Sequence, residues 1–460
     1  MVERETWATR AGFILAAIGS AVGLGNIWRF PFQTATNGGS AFLLVYLVAV
    51  LVIGIPALLG EFVVGRRANI NAIEAFNKLG RPQWAFVGAI GVLGSFWTLS
   101  YYSVVGGWVL RFIYGFASGV VLDQPQTYFT DVAATGLDAV ALHGLFMLVT
   151  AGIVALGIED GIELATKFMV PSIVVLLLGL AVYAFTLPGS GAGYEFYLSP
   201  DFATVVENWT TVVPAAAGQA LFSLSVGFAV MITYASYLSK DDSLPADGLT
   251  IAVSNSFVGF LAGLVVIPLL FAAGITIGGE GSLVSGSGGA GAVFIGVTTA
   301  LVDLPGLAAR VVGALFFGTV LIAAISSSIS LLEAVVSYLV DNYALPRAPT
   351  AAGLGGVVFL LGVPSALDTA WLTWFDGISV SLFLPVVVLL VVLFVGWELG
   401  GEAVDELRQG TSGGTLLPMV WLWSLRTVVL LAILVVVGLN FYDLFLTPEA
   451  GDYFIVPPGL

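Results

Sequence analysis

The sequence predicts an all-helical membrane protein of eleven transmembrane spans. Three observations carry that prediction. Hydrophobic residues make up 58% of the 460-residue chain and charged residues 9%, against about 25% charged in soluble domains. The apolar residues fall in successive runs long enough to cross a bilayer. Two of those runs, five spans apart, are interrupted at mid-length by glycine and polar residues.

A span needs ~20 mostly apolar residues. The runs lie near 10–35, 41–65, 84–119, 139–157, 166–187, 209–237, 248–277, 307–340, 350–366, 376–399 and 416–441. The long third and eighth runs read as single helices. The N-terminal stretch has a basic start and an apolar run, yet no small-residue cleavage site follows, so it reads as the first span rather than a signal peptide. Ten of the fourteen Lys and Arg residues fall at one end: Arg4, Arg10, Arg66, Arg67, Lys78, Arg81, Lys167, Lys240, Arg347 and Arg408. The positive-inside rule makes that end cytoplasmic. The N-terminus is then inside, an odd span count puts the C-terminus outside, and the expected location is the cell membrane.

Net charge is −15, with 29 acidic residues and three lysines. Such a surface suits high salt, and a halophilic source is the reading adopted; acidic loops alone are the plainer one. No nucleic-acid partner is expected. With no cysteine, disulfides, thiolate metal sites and thiol nucleophiles are excluded. His143 is the only histidine, so no multi-histidine metal site can form; it reads as a packed or interfacial side chain. The glycine-rich stretch 278–294 lacks the Gly-Lys-Ser/Thr ending of a phosphate loop and reads as an external loop. Gly23-Leu24-Gly25 follows no strand, so it is no dinucleotide fingerprint. Without a hydrolase, metalloprotease or phosphate-loop motif, the chain is not expected to be an enzyme. No lysine lies at mid-span, which excludes a retinal pump.

The first interruption is SAVGLGN, Ser20 to Asn26. The second is GQALFSLSVGF, Gly218 to Phe228. In hydrocarbon an unpaired backbone group costs several kcal/mol, so irregular backbone persists only where it lines a cavity or meets a ligand. Interruptions at corresponding depths in two halves point to a transporter binding site. The alternative is a pair of ordinary packing glycines. Exposed carbonyls suit hard cations, and Asn26, Ser223 and Asn255 add neutral side-chain oxygens. The eighth run carries a serine cluster, Ala323 to Ser330, although serines in membrane helices commonly bond their own backbone. Arg29, Glu61, Glu333 and Asp376 are ionisable residues within runs and are functional candidates. Arg29 with Asp376 would close the outer mouth, and Arg4 with Asp341 the inner one.

RETWATRAGFILAAIGSAVGLGNIWRFPF, NGGSAFLLVYL, GIPALLGEFVVGRR, GQALFSLSVGFAVMITYASY and AAISSSISLLEAVVSYLVD resemble the neurotransmitter:sodium symporter family across spans 1 to 10. The resemblance implies a LeuT-type fold with a 5+5 inverted repeat, spans 1 and 6 unwound, and sodium-coupled uptake of an amino acid or amine. It implies one domain over 1–460, with repeat 1 at about 8–190, repeat 2 at about 205–400 and an extra span at about 415–441. Two sodium sites follow by resemblance. The first uses Ala21, Asn26, Ser223, Asn255 and the substrate carboxylate; the second uses Gly19, Val22, Ala323, Ser326 and Ser327. Tyr102 and the amides near Leu24 and Gly25 would hold the carboxylate. Ser20, Thr98, Phe222, Ser225, Phe228, Ser327 and Leu331 would line the side-chain pocket. The outer gate resembles Arg29, Asp376 and Gln219; the inner gate resembles Arg4, Trp7, Tyr237 and Asp341.

Gly23 stands where monoamine members carry aspartate, which points to an amino acid; the pocket residues the resemblance implies are uncharged and apolar to weakly polar, which points to a neutral, hydrophobic one. Two departures count. NSFVGF, Asn255 to Phe260, lacks the carboxylate that substitutes for chloride in many prokaryotic members. It also carries Gly259 where chloride-dependent members have serine. Tyr46, Gln219, Ser223 and Asn255 could still hold an anion, so chloride coupling stays open. Second, eleven spans stand where many relatives have twelve. The chain is expected as a monomer or loose homodimer, with an amino acid and the lipid bilayer as partners. A channel or a non-transporting nutrient sensor on the same fold is the alternative.

Overall fold

The computed structural model describes residues 6–275, 291–411, 414, 416–446, 448–449, 452–453 and 455–458. Arg4 and most of the glycine-rich stretch 278–294 lie outside these described residues. Outer and inner below follow the positive-inside expectation.

Nine continuous helical stretches are long and apolar enough to cross a membrane: Ser40–Ala68, Pro82–Ser118, Gly136–Ala155, Ile158–Phe185, Leu244–Ala272, Gly306–Tyr343, Arg347–Leu367, Thr369–Leu399 and Leu416–Phe445. The remaining two spans are broken. Arg10–Ala21 and Gly25–Thr36 form the first, bent by 46°. Trp209–Ser223 and Val230–Ala235 form the sixth, separated by six non-helical residues. Eleven spans are thus present among the described residues, and both breaks fall in the runs the sequence marked. A two-residue antiparallel pairing, Pro448–Glu449 with Asp452–Tyr453, follows the last span.

The third and eighth runs are single helices, Ala85–Ser118 and Gly306–Tyr343. Three expectations need correction. The tenth span begins at Thr369, because Asp368 caps it by accepting from the Ala370 amide at 2.8 Å. Asp376 therefore sits two turns inside that helix rather than at its start. The fifth span begins at Ile158, not 166, since only Leu156 and Gly157 separate it from the fourth, and Gly157 turns the chain with φ 93°. The outer connections also hold helices of their own, Ser190–Leu198, Phe202–Glu207 and Ala292–Val302.

Burial orders the bundle. The seventh span buries 67% of its most apolar window and the eleventh only 22%, which places the eleventh at the lipid-facing edge. Arg66, expected in an inner loop, is instead fully buried. Its Nε donates to Glu406 Oε1 at 2.7 Å, and its Nη1 and Nη2 donate to the Asp242 and Glu406 carbonyls at 2.5 Å each. The short helix Gly401–Arg408 is thereby tied under the bundle.

Candidate functional site

A helix broken inside a bilayer must find partners for every backbone group its turns give up. Both breaks do so with each other and with three neighbouring spans. The Leu24 amide donates to Tyr102 Oη at 3.0 Å, and Gln219 Nε2 donates to the Gly25 carbonyl at 2.7 Å. The Ser20 carbonyl accepts from Ser225 Oγ at 2.9 Å and Ser327 Oγ at 2.8 Å. The Gly227 amide donates to Glu61 Oε1 at 2.6 Å. Ser95 Oγ donates to the Phe228 carbonyl. Ser225 (φ 53°) and Ala229 (φ 57°) are both left-handed, a conformation unfavourable for residues with a Cβ; the packing around the break holds them there.

The breaks flank a small cavity of about 20 Å³. Ser20, Ala21, Gly23 and Gly25 of the first span form one wall, and Thr98 and Tyr102 of the third form another. Phe222, Ser225 and Phe228 of the sixth and Ser327 and Leu331 of the eighth complete it. Every residue expected in the substrate pocket lines it except Leu24, which points its amide at Tyr102, and Ser223, which faces Tyr46 and Asn255. No charged side chain lines it. A larger groove between the fourth and ninth spans, lined by Leu137, Leu148, Ala352 and Phe359, is open and almost wholly apolar, the surface a bilayer covers.

Two oxygen clusters flank the cavity. Around Asn255, one orientation of the carboxamide places Oδ1 2.9 Å from Asn26 Nδ2, but also 2.9 Å from the Ser223 carbonyl and 3.1 Å from the Ala21 carbonyl. The reverse orientation serves those carbonyls but turns Nδ2 against the Asn26 amide. In the first orientation three oxygens converge, an arrangement that a bound cation would satisfy. Around the serine cluster, Ser326 Oγ lies 3.3 Å from the Val22 carbonyl and 2.9 Å from that of Ala323, and Ser327 Oγ lies 3.4 Å from the Gly19 carbonyl. All five expected members are brought together. No group of three or more His, Cys, Asp or Glu that could hold a metal ion occurs among the described residues; the oxygens gathered at both places belong to carbonyls, hydroxyls and a carboxamide.

Tyr46 Oη and Asn255 Nδ2 each lie 3.2 Å from Ser223 Oγ, with Ser256, which sequence reasoning missed, beside the Tyr46 hydroxyl. Gln219 is turned with its amide toward Gly25, so it ties the first break rather than the outer ion pair.

Paired side chains lie at both ends. Outside, Arg29 Nη1 meets Asp376 Oδ2 at 2.7 Å, and Arg29 lies 5.3 Å from the centroid of the Phe222 ring. Tyr101 Oη also donates to Asp376, at 2.9 Å. Inside, Trp7 Nε1 donates to the Tyr234 carbonyl at 3.0 Å, and the indole packs edge-on against Tyr234 and Tyr237. Tyr237 Oη donates to Glu333 at 2.9 Å, and Arg347 Nη1 pairs with Glu333 at 2.6 Å. Asp341 Oδ2 accepts from the Asn71 amide at 3.1 Å. The Arg4–Asp341 pairing lies outside the described residues. Sequence reasoning missed Glu163, which accepts from the Ala8 amide and Thr9 Oγ1 at 2.9 Å each. It also missed Asp247, which Arg10 meets at 2.5 Å. The signal was present in the spacing of Glu163 and Lys167, paired at 2.8 Å. His143, as expected, is packed, with Nε2 3.0 Å from the Phe359 carbonyl.

A central cavity between two broken membrane helices, flanked by groups of neutral oxygens and with paired side chains at each end, is an arrangement suited to a membrane carrier. The chain matches the model of the sodium:neurotransmitter symporter family over residues 4–123 and 130–455, and it belongs to that family. It is a multi-span sodium-dependent transporter, not an enzyme. It is 35% identical over 451 residues to an uncharacterized sodium-dependent transporter, YhdH of Bacillus subtilis, covering 94% of this chain and 96% of that protein. It is 31% identical over 299 residues to the bovine sodium-dependent neutral amino acid transporter B(0)AT2, covering 58% of this chain and 41% of that one. Among solved structures it is similar to MhsT in complex with L-phenylalanine, with a TM-score of 0.84, 38% identity, and 95% and 100% of the two chains covered. The LeuT-type fold is thereby established.

Proposed function

We propose that the chain takes up a neutral, predominantly apolar amino acid together with sodium, by alternating access through the cavity between the broken spans. One observation carries the reading: an uncharged cavity lies between two groups of neutral oxygens, with Tyr102 at its wall. Tyr102 Oη accepts from the Leu24 amide, which leaves its own proton free to donate to a substrate carboxylate. In this reading the first sodium site is Ala21, Asn26, Ser223 and Asn255 with that carboxylate, and the second is Gly19, Val22, Ala323, Ser326 and Ser327. Arg29 with Asp376 gates the outside; Trp7, Tyr237, Asp341 and Arg4 gate the inside. The bound phenylalanine of MhsT and the neutral amino acid specificity in the name of the bovine relative support the substrate class. Residues 8–190 and 205–400 act as the two repeats, with the N-terminus cytoplasmic and the C-terminus outside.

The coupling suffices energetically. Two sodium ions moving with a zwitterion carry two charges, and at ~100 mV each is worth ~2.3 kcal/mol. The resulting ~4.6 kcal/mol supports a gradient of roughly a thousandfold. Chloride stimulation is a second reading. It rests on the hydroxyls of Tyr46, Ser223 and Ser256 and the amide of Asn255, which gather without a carboxylate; uptake unchanged when gluconate replaces chloride removes it.

The deciding experiment screens the twenty amino acids by thermal shift in sodium against potassium, then measures counterflow in proteoliposomes. Sodium-specific stabilisation by apolar amino acids, with exchange, is the expected result; binding without exchange identifies a sensor. Asn26→Ala is expected to abolish sodium-dependent binding in a folded protein. Normal binding in that variant overturns the first site.

A further inference from the structure

A row of buried hydroxyls runs from the cavity wall to the outer ion pair. Thr98 lines the cavity, and its Oγ1 shares a hydrogen bond of 2.5 Å with Ser379 Oγ of the tenth span. One turn further out on the same two helices, Tyr101 faces Asp376. Tyr101 Oη donates to Asp376 Oδ1 at 2.9 Å, and Asp376 Oδ2 holds Arg29 at 2.7 Å. Thr98 is 1%, Tyr101 1% and Ser379 0% exposed, so water supplies none of the partners.

The direction of the outer rung is fixed. Asp376 opposite Arg29 is an acceptor, so Tyr101 donates to it. In the inner rung either the Thr98 or the Ser379 hydroxyl can donate. Thr98 thus lines the cavity while its hydroxyl is bonded to the tenth span. The spacing makes this a ladder between two helices. Thr98 and Tyr101 are three residues apart on the third span, Asp376 and Ser379 three apart on the tenth, and such pairs share a helix face. The rungs are 98–379 and 101–376. Trp97 adds a third contact, stacked on Phe375 at 4.3 Å and donating to its carbonyl at 3.0 Å.

We infer that the Thr98–Ser379–Tyr101–Asp376 row couples occupancy of the cavity to closure of the outer ion pair, with Ser379 and Tyr101 as positioning residues of the gate. The inference rests on the proposed reading of the cavity as an amino-acid site. A substrate side chain packed on Thr98 holds its rotamer and so the first rung. The second rung forms with it, because both acceptor groups ride on one rigid turn of the tenth span. Moving the tenth span outward breaks both rungs together.

The chain has no cysteine, which makes the test clean. Gly218 is buried beside the tenth span, and a Cβ there meets only Val380 Cγ1, at 3.9 Å. In the Gly218→Cys background, labelling by a membrane-impermeant maleimide reports outer opening. Sodium and a saturating amino acid are expected to slow labelling roughly tenfold, which corresponds to ~1.4 kcal/mol of closure. Adding Ser379→Ala or Tyr101→Phe is expected to remove that protection while labelled amino acid still binds, and Ser379→Thr is expected to restore it. Equal protection in both hydroxyl-deleted variants overturns the relay, as does complete loss of binding in both, which would make them substrate ligands. A parent that binds no amino acid removes the functional reading itself.

Discussion

Glu61 Oε1 accepts the Gly227 amide at 2.6 Å, joining the second span to the break in the sixth across 166 residues of sequence. Glu61 is fully buried. Gly227 has φ 92°, and a Cβ there would meet the Leu384 carbonyl at 2.7 Å, so the turn is confined to glycine and its amide must be served from elsewhere. Glu61→Ala leaves that N–H unsatisfied, at about 1–3 kcal/mol. Transport is expected to fall with it, and the melting temperature to drop. Glu61→Gln keeps a carbonyl acceptor and is expected to retain amino-acid binding. Uptake and thermal unfolding of the two variants decide it; an alanine variant that transports normally removes Glu61 from the support of the break.

Much of this was legible in the residues. The first break was marked by Gly23 and Gly25 with Asn26 beside them, since a polar side chain next to paired glycines weighs against glycines that only pack. The second was placed from Ser223, Ser225 and Gly227, yet the irregular stretch extends through Ala229. Alanine carries no turn signal, and its left-handed backbone is imposed by packing. Asp376 was misplaced along its helix for a related reason: hydropathy rises only after it, while the helix starts at the Asp368 cap. Ser379 was invisible as a site residue, since a serine in a helix declares no partner until the neighbouring helix is in place; the Glu163–Lys167 spacing signalled an ion pair but not its contact with the first span. Arg66 was counted as a cytoplasmic charge; burial by residues 242 and 406 is a tertiary fact.

Gly23 has no room for a side chain. A Cβ there would lie 2.1 Å from Ser327 Oγ and 2.7 Å from Tyr102 Oη, two groups expected to hold the second sodium and the substrate carboxylate. Gly23→Ala is expected to weaken sodium-dependent amino-acid binding by at least roughly tenfold, or ~1.4 kcal/mol, with the fold intact. Gly152→Ala is the control, because nothing lies within 4 Å of its added Cβ. Scintillation-proximity binding of both variants measures the difference, and equal affinities would remove Gly23 from the site.

Arg66 and Glu406 are 0% and 1% exposed in their side chains. Removing one member strands the other charge, at about 3–5 kcal/mol. Arg66→Ala is therefore expected to lower the melting temperature sharply, whereas the partly exposed pair Arg67–Glu402 contributes about 0–1 kcal/mol. Replacing both buried partners, Arg66→Met with Glu406→Leu, is expected to recover much of the loss. Differential scanning fluorimetry in detergent compares the four; an Arg66→Ala protein as stable as Arg67→Ala would contradict the buried network.

Glu163 clasps the inner half of the first span. Its two oxygens take the Ala8 amide and the Thr9 hydroxyl at 2.9 Å each, with Lys167 at 2.8 Å alongside. Thr9 also accepts the Gly12 amide at 2.9 Å, so the carboxylate holds the cap that starts the helix. In the alternating-access reading proposed above, inner opening would separate this segment from the fifth span, and the clasp would oppose it. Glu163→Ala removes both acceptors and strands the Ala8 amide. It is expected to shift the resting protein toward inner opening, seen as faster release of bound amino acid to the inner side and weaker binding at fixed sodium. Thr9→Val removes one contact and the cap, and an intermediate effect is expected. Labelling of an introduced cysteine at Ala8 by maleimide separates gate from scaffold: reactivity should rise in Glu163→Ala and fall again when sodium and substrate are added. Reactivity that matches the parent, with release unchanged, would show that Glu163 does not restrain the inner gate.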